Sequence, residues 1–160
     1  MLNILPAQNP SDIALIQGLL HEYIVSWHSY PGPVPDDEVA RARRHVANLP
    51  AHCSPPQGRL FLATYAGQPA GCVAIQKVDD QTCEMKRLYV KPDFRGRKIG
   101  RALAQHAIQQ ARTLGYQKIR LHTIALMQEA NQLYQSLGFA PIAPFEQTAR
   151  PDAVFLQLNL

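Results

Sequence analysis

The spacing of apolar residues changes period at Pro92, and that change constrains the fold more than any other feature of the chain. Residues 82–90 read as a strand. Beyond Pro92, the residues Ile99, Leu103, Ala107, Ala111 and Leu114 recur every three or four positions, which marks one face of a helix. Gly115 stands where a helix C′ glycine belongs. Between the two lies Lys91-Pro92-Asp93-Phe94-Arg95-Gly96-Arg97-Lys98, a basic turn containing a glycine. A strand therefore passes through a tight turn directly into a helix.

The flanks supply both kinds of element. Residues 2–5 form a short apolar strand candidate stopped by Pro6. Asn9-Pro10-Ser11-Asp12 combines a capping side chain, a proline tolerated early and an acid for the first turn. Ile13, Ile16, Leu20 and Ile24 follow at helical spacing. Three prolines and a glycine make 30–35 a loop. Asp36, Asp37 and Glu38 open a second helix, which runs to about Asn48 and is broken by Pro50; 51–58 is a further proline-rich loop. Strands at 59–65, 70–78 and 82–90 are joined by turns at 66–69 and 79–81, and connections this short imply an antiparallel meander. Residues 118–123 alternate, with Ile119 and Leu121 on one face and Arg120 and His122 on the other. Residues 127–137 form a short helix closed by Gly138, and 154–160 a last strand. The order β-α-α-β-β-β-α-β-α-β predicts a single α+β domain over 1–160, with a central mixed, mostly antiparallel sheet flanked by helices.

Composition narrows the class. The 160 residues are 46% hydrophobic and 18% charged, which fits one globular domain and excludes a disordered, collagen-like or coiled-coil chain. No apolar run approaches the roughly 18 residues that cross a bilayer, and the first residues lack a basic segment followed by a long apolar one. Neither a membrane span nor a signal peptide is expected. Cys53, Cys72 and Cys83 are odd in number and lack CxxC spacing, which argues against a disulfide framework and a zinc site and fits a reducing cytoplasm. The six histidines show no ligand spacing, so no metal is expected.

The net charge of +4 matters less than its distribution. Lys86, Arg87, Lys91, Arg95, Arg97, Lys98 and Arg101 crowd the strand-to-helix junction. Unpaired N–H groups and the positive dipole end make a helix start an anion site. Gly96 and Gly100 allow close backbone approach. Acids, not bases, suit a first helical turn on structural grounds, so this basic turn is built for a phosphate. Its pattern is neither GxxxxGK[ST] nor GxGxxG. Only Tyr89 and Phe94 are aromatic nearby, too few for a base-stacking platform, so no nucleic-acid partner is expected.

These residues resemble the GNAT superfamily of N-acetyltransferases, whose signature [Q/R]-x-x-G-x-[G/A] grips the pyrophosphate of acetyl-coenzyme A. Arg95 and Gly100 fit its two ends; Lys98 stands where the family usually has glycine, and still offers a backbone N–H and a cation. Glu84-Met85-Lys86-Arg87-Leu88-Tyr89-Val90 is similar to the family's fourth strand, and Asn131-x-x-Tyr134-x-x-x-Gly138-Phe139 to its later N-x-x-Y-x-x-x-G-F element. The resemblance covers about residues 59–139. It implies the GNAT fold and acetyl-CoA as co-substrate. It also implies direct acetyl transfer to a primary amine of a small-molecule acceptor. The alternatives it leaves are a protein or peptide N-acetyltransferase and a non-catalytic acyl-CoA-binding module. A homodimer is in keeping with the family.

The resemblance also assigns roles. The fourth strand splays from the fifth and offers the backbones of Leu88 and Val90 to the pantetheine arm. Diphosphate contacts fall on Arg95, Gly96, Arg97, Lys98, Gly100 and Arg101. Tyr134 matches the tyrosine that protonates the coenzyme sulfur, and a phenol is protonated at neutral pH. Asn131, one helical turn earlier, is a cofactor contact. Glu84 sits where some members carry the general base. On a regular strand Glu84, Lys86, Leu88 and Val90 share one face, which turns Glu84 toward the thioester; Lys86 is its structural alternative. His122 is a water-relay candidate, more simply read as a hydrogen-bonded half-buried residue. The acceptor is expected between roughly 27–37 and 143–152.

Overall fold

The computed structural model describes residues 1–32, 34–148 and 150–160. Two expected acceptor segments therefore each include one residue outside the described set, Pro33 and Ala149.

Seven strands make one sheet in the order β1-β2-β3-β4-β5-β7-β6. They are β1 (Leu2–Pro6), β2 (Gly58–Tyr65), β3 (Gln68–Lys77), β4 (Thr82–Val90), β5 (Lys118–Ile124), β6 (Ala140–Pro141) and β7 (Ala153–Asn159). The helices are α1 (Pro10–Ser26), α2 (Asp36–Ala47), α3 (Leu49–His52), α4 (Ile99–Thr113) and α5 (Gln128–Ser136). Every neighbouring strand pair is antiparallel except β4 and β5. That pair is parallel because α4 carries the chain back across the sheet before β5 begins. The fold is the mixed, mostly antiparallel α+β architecture expected from the element order.

Two apolar sets cover the two sheet faces. Ile99, Leu103, Ala107 and Ala111 of α4 pack with Val73, Ile75, Met85, Ile119 and Tyr134. Ile16, Leu20 and Ile24 of α1 and Val46 of α2 pack with Leu60, Leu62, Cys72 and Tyr89 on the other. Each fully buried Leu or Ile contributes about 1.5–3 kcal/mol by leaving water. The local signals act as read: the Asn9 side chain accepts from the Asp12 N–H at 2.8 Å, with Pro10 in the first turn.

Two details depart from the sequence reading. Pro50 does not leave a loop; it sits in the first turn of the one-turn α3, where its missing N–H would have no helical partner. β6 is too short to carry any periodicity, and its Pro141 is tolerated because the strand is an edge.

A third departure shapes the site. β3 and β4 are in register at Gly71–Val90 and Cys72–Tyr89, then shift by one residue to Ala74–Lys86. The extra residue in β4 is accommodated at Arg87, whose φ is +58°. Alternation restarts there. Glu84 and Lys86 face α1 and α2, whereas Leu88 and Val90 pack with Cys83 and Met85 against the α4 face. The expected common face of Glu84, Lys86, Leu88 and Val90 is therefore corrected.

Close packing of α4 on this region depends on Gly71. A Cβ there would lie 2.5 Å from the Tyr89 carbonyl oxygen and 3.1 Å from Leu103 Cδ1. Since the first obstacle is backbone, Gly71→Ala should cost about 3 kcal/mol or more. Denaturant unfolding should show a lower midpoint; an unchanged midpoint would mean that β3 and β4 separate easily.

Candidate active site

The basic turn is an array of unpaired donors. α4 begins after Lys98, which has φ +61°, and Gly96 has φ +77°. The first N–H to find a carbonyl is that of Ala102, which donates to the Lys98 oxygen. The backbone N–H groups of 96–101 have no protein partner among the described residues. No acid occupies the first turn of α4. Arg95 Nε donates to the Val90 carbonyl at 3.2 Å and so ties the turn to the end of β4. The side chains of Arg97 and Arg101 turn aside: Arg97 stacks over Tyr65, 4.9 Å from the ring centre, and Arg101 donates to Ser136 Oγ at 2.9 Å. Of the six residues expected to contact the diphosphate, Arg95, Gly96, Lys98 and Gly100 line the cavity described next, whereas Arg97 and Arg101 do not.

β4 and β5 are paired only at Thr82–Lys118, Cys83–Ile119 and Glu84–Arg120. Beyond these pairs the strands part. The Lys91 N–H donates to the Ala70 carbonyl on β3, so alternation turns the N–H and C=O of Val90 away from β3 toward the gap. The gap opens into a cavity of about 1280 Å³. That exceeds the room one small ligand needs and suits two reactants side by side. Leu88 and Val90 line it from β4, His122 and Thr123 from β5, Gly100 from α4, and Tyr134 from α5.

Tyr134 is 7% exposed and packs edge-on against Phe139, with ring centres 5.8 Å apart. Its hydroxyl has no hydrogen-bond partner among the described residues. Burial pushes the phenol well above its ordinary value of 10. Asn131 is turned away from the cavity: Nδ2 donates to the Ile124 carbonyl at 2.9 Å and ties α5 to the end of β5.

Glu84 does not reach the cavity either. It is 4% exposed, accepts from Arg120 Nε at 3.1 Å and pairs with Lys86 Nζ at 3.3 Å. The Arg120 guanidinium lies in turn 3.8 Å from the Phe145 ring centre. Two cations hold the carboxylate at the point where β4 and β5 separate. Glu84→Gln would leave both cations without their counter-charge, at about 3–5 kcal/mol of stability. The acidic limb of the pH–rate profile should survive in this variant; its loss, with stability intact, would return Glu84 to the role of base.

His122 is placed better. It lies two residues beyond Arg120 along β5 and lines the cavity. Its Nδ1 is 3.2 Å from Glu146 Oε1, and its ring packs against the edge-on pair Phe145 and Phe155. The Glu146 contact leaves Nε2 without a partner among the described residues.

The acetyltransferase (GNAT) family model matches residues 18–139, which takes in the turn, the splayed strands and Tyr134. The chain belongs to the GNAT family. A protein of Schizosaccharomyces pombe, named only as an uncharacterized N-acetyltransferase, is 35% identical over 127 residues, 78% of this chain and 74% of its own length. The N-acetylaspartate synthetase of Danio rerio is 36% identical over 108 residues, 66% of this chain but 38% of its own length. A GNAT acetyltransferase of Elizabethkingia anophelis with acetyl-CoA bound superposes with a TM-score of 0.64 at 19% identity, covering 99% of this chain and 98% of that one.

GNAT enzymes use acetyl-CoA as co-substrate. The residues present fit it. The unpaired donors of 96–101 and the Lys98 cation suit a diphosphate. Gly100 is informative because a Cβ would meet only Val90 Cγ2 at 3.6 Å and Leu133 Cδ2 at 4.0 Å. The protein's own packing does not demand glycine there, so the space serves something else. Sequence reasoning offered Lys86 as a partner of Glu84 but missed Arg120 as the second one and the position of Arg87. The bulge at Arg87 contains no glycine or proline to signal it.

Proposed function

We propose that residues 1–160 act as one GNAT domain that moves acetyl directly from acetyl-CoA to the primary amine of a small molecule. The observation that carries this reading is that unpaired donors of the turn, at Gly96 and Lys98 to Gly100, the gap between β4 and β5 and the unpartnered Tyr134 hydroxyl meet in one cavity. Acetyl-CoA supplies an acetyl group activated as a thioester. The turn, through the backbone of 96–101 with Arg95 and Lys98, holds the diphosphate, and the backbone edge at Leu88 and Val90 aligns the arm that follows it. His122, oriented by Glu146, takes the proton of the acceptor amine as the N–C bond forms. Tyr134 gives its proton to the departing sulfur as the C–S bond breaks. Desolvation that raises the phenol acts equally on a thiolate, which would otherwise be left as an unpaired buried anion. Similarity to N-acetylaspartate synthetases, whose name describes an acetylated small amine, supports a small acceptor.

Buried thiols do not offer a covalent route. Burial raises Cys53 to about 11 and Cys72 and Cys83 to about 12, so they are protonated at neutral pH. Direct transfer is tested by intact-protein mass after incubation with acetyl-CoA alone. No acetyl should remain on the protein, and addition of amine should yield free thiol and acetylated amine together. A stoichiometric acetyl-protein that amines discharge would overturn direct transfer.

A further inference from the structure

We infer that Arg87 grips a carboxylate carried by the acceptor, so that the substrate is an amino acid rather than a simple alkylamine. This rests on the acetyl-transfer reading above.

Arg87 is positioned by the extra residue in β4, at φ +58°. Non-glycine residues seldom occupy that region, and such strained positions gather where a ligand is clamped. The bulge directs the side chain toward α2, where Nε donates to His45 Nδ1 at 3.1 Å. His45 Nε2 lies 3.2 Å from Gln76 Oε1. With Nδ1 accepting from Arg87, the ring is neutral and its Nε2–H donates to Gln76. Burial and the neighbouring Arg87 push this imidazole down to about 4, in agreement. His45 therefore orients the guanidinium without balancing its charge.

Among the described residues no carboxylate lies within ion-pair distance of it. Arg41, Lys86, Arg120 and Arg150 each pair with a carboxylate, whereas Arg87 makes no ion pair among the described residues. Glu84 is already held by Lys86 and Arg120. A half-buried guanidinium without a counter-ion is unfavourable unless an anion arrives. With Nε engaged, the two terminal nitrogens remain for a planar, two-oxygen partner, which a carboxylate matches. Arg87 lines the cavity directly beside Leu88. A carboxylate held there brings an amine one carbon away close to the gap between β4 and β5.

The test compares kcat/KM for common L-amino acids, their amides, the corresponding decarboxylated amines and aminoalkylphosphonic acids. It uses the wild type, Arg87→Gln and Arg87→Lys. The wild type should prefer the free amino acid over its amide and amine by about 100-fold or more. Arg87→Gln should lose most of that preference through KM, and Arg87→Lys should keep part of it. Both variants should retain the thermal shift caused by acetyl-CoA, which reports that fold and coenzyme site are intact. Equal use of amides and amines by the wild type, a preference for phosphonates, or an unchanged ratio in Arg87→Gln would overturn the inference while leaving acetyl transfer standing. Failure of every amine to turn over would remove both.

Discussion

Tyr134→Phe is expected to lower kcat by about 100-fold or more and to leave acetyl-CoA affinity little changed. The ring stays in its contact with Phe139, so the packing survives. The hydroxyl faces the cavity and has no partner to lose among the described residues, so its removal should leave the melting temperature nearly unchanged. Burial raises the phenol above 10, which keeps it protonated through neutral and mildly alkaline pH. Wild-type activity should therefore show no alkaline loss due to Tyr134 up to about pH 10. An unaltered kcat in Tyr134→Phe would reassign this residue to the core.

The second large effect concerns the turn. Acetyl-CoA at about 100 times its Kd should stabilise the protein by about 2.7 kcal/mol, which at this size is a rise of about 5–10 °C in Tm. NAD should give no comparable rise, because the turn is not a dinucleotide fingerprint. Gly100→Asp separates the ligand from the fold. An acid in the first turn of α4 favours the helix, and the Cβ meets no backbone atom of the protein. The unliganded variant should melt at the same temperature or higher, yet its shift with acetyl-CoA should vanish, because a carboxylate would occupy the phosphate space. A full shift in Gly100→Asp would place the coenzyme elsewhere.

How much of this was legible follows from where information resides in the chain. The strand-to-helix junction was readable because two periods meet there and because basic residues replace the acids a first helical turn favours. Side-chain direction within that junction was not. Arg97 and Arg101 carry the same charge as Arg95 and Lys98, and only tertiary packing sends them to Tyr65 and Ser136. Asn131 shares a helix with Tyr134, yet its amide is taken by the Ile124 carbonyl, which the sequence cannot announce. Glu84 was misread for a more general reason. Strand alternation was carried through Arg87, and one inserted residue reverses every face beyond it. The same reversal that withdraws Glu84 leaves Arg87 aimed into the cavity.

The central claim is that this cavity joins acetyl-CoA to an amine, and acceptor-dependent thiol release measures it most directly. Purified protein with acetyl-CoA should release little thiol alone and release it at a saturable rate when an accepted amine is added, with acetylated amine formed in equal amount. Tyr134→Phe should abolish most of that rate without abolishing the thermal shift by acetyl-CoA. A protein that binds acetyl-CoA with the expected shift, yet releases no thiol with any small amine or peptide, would contradict the account and leave a binding module in place of an enzyme.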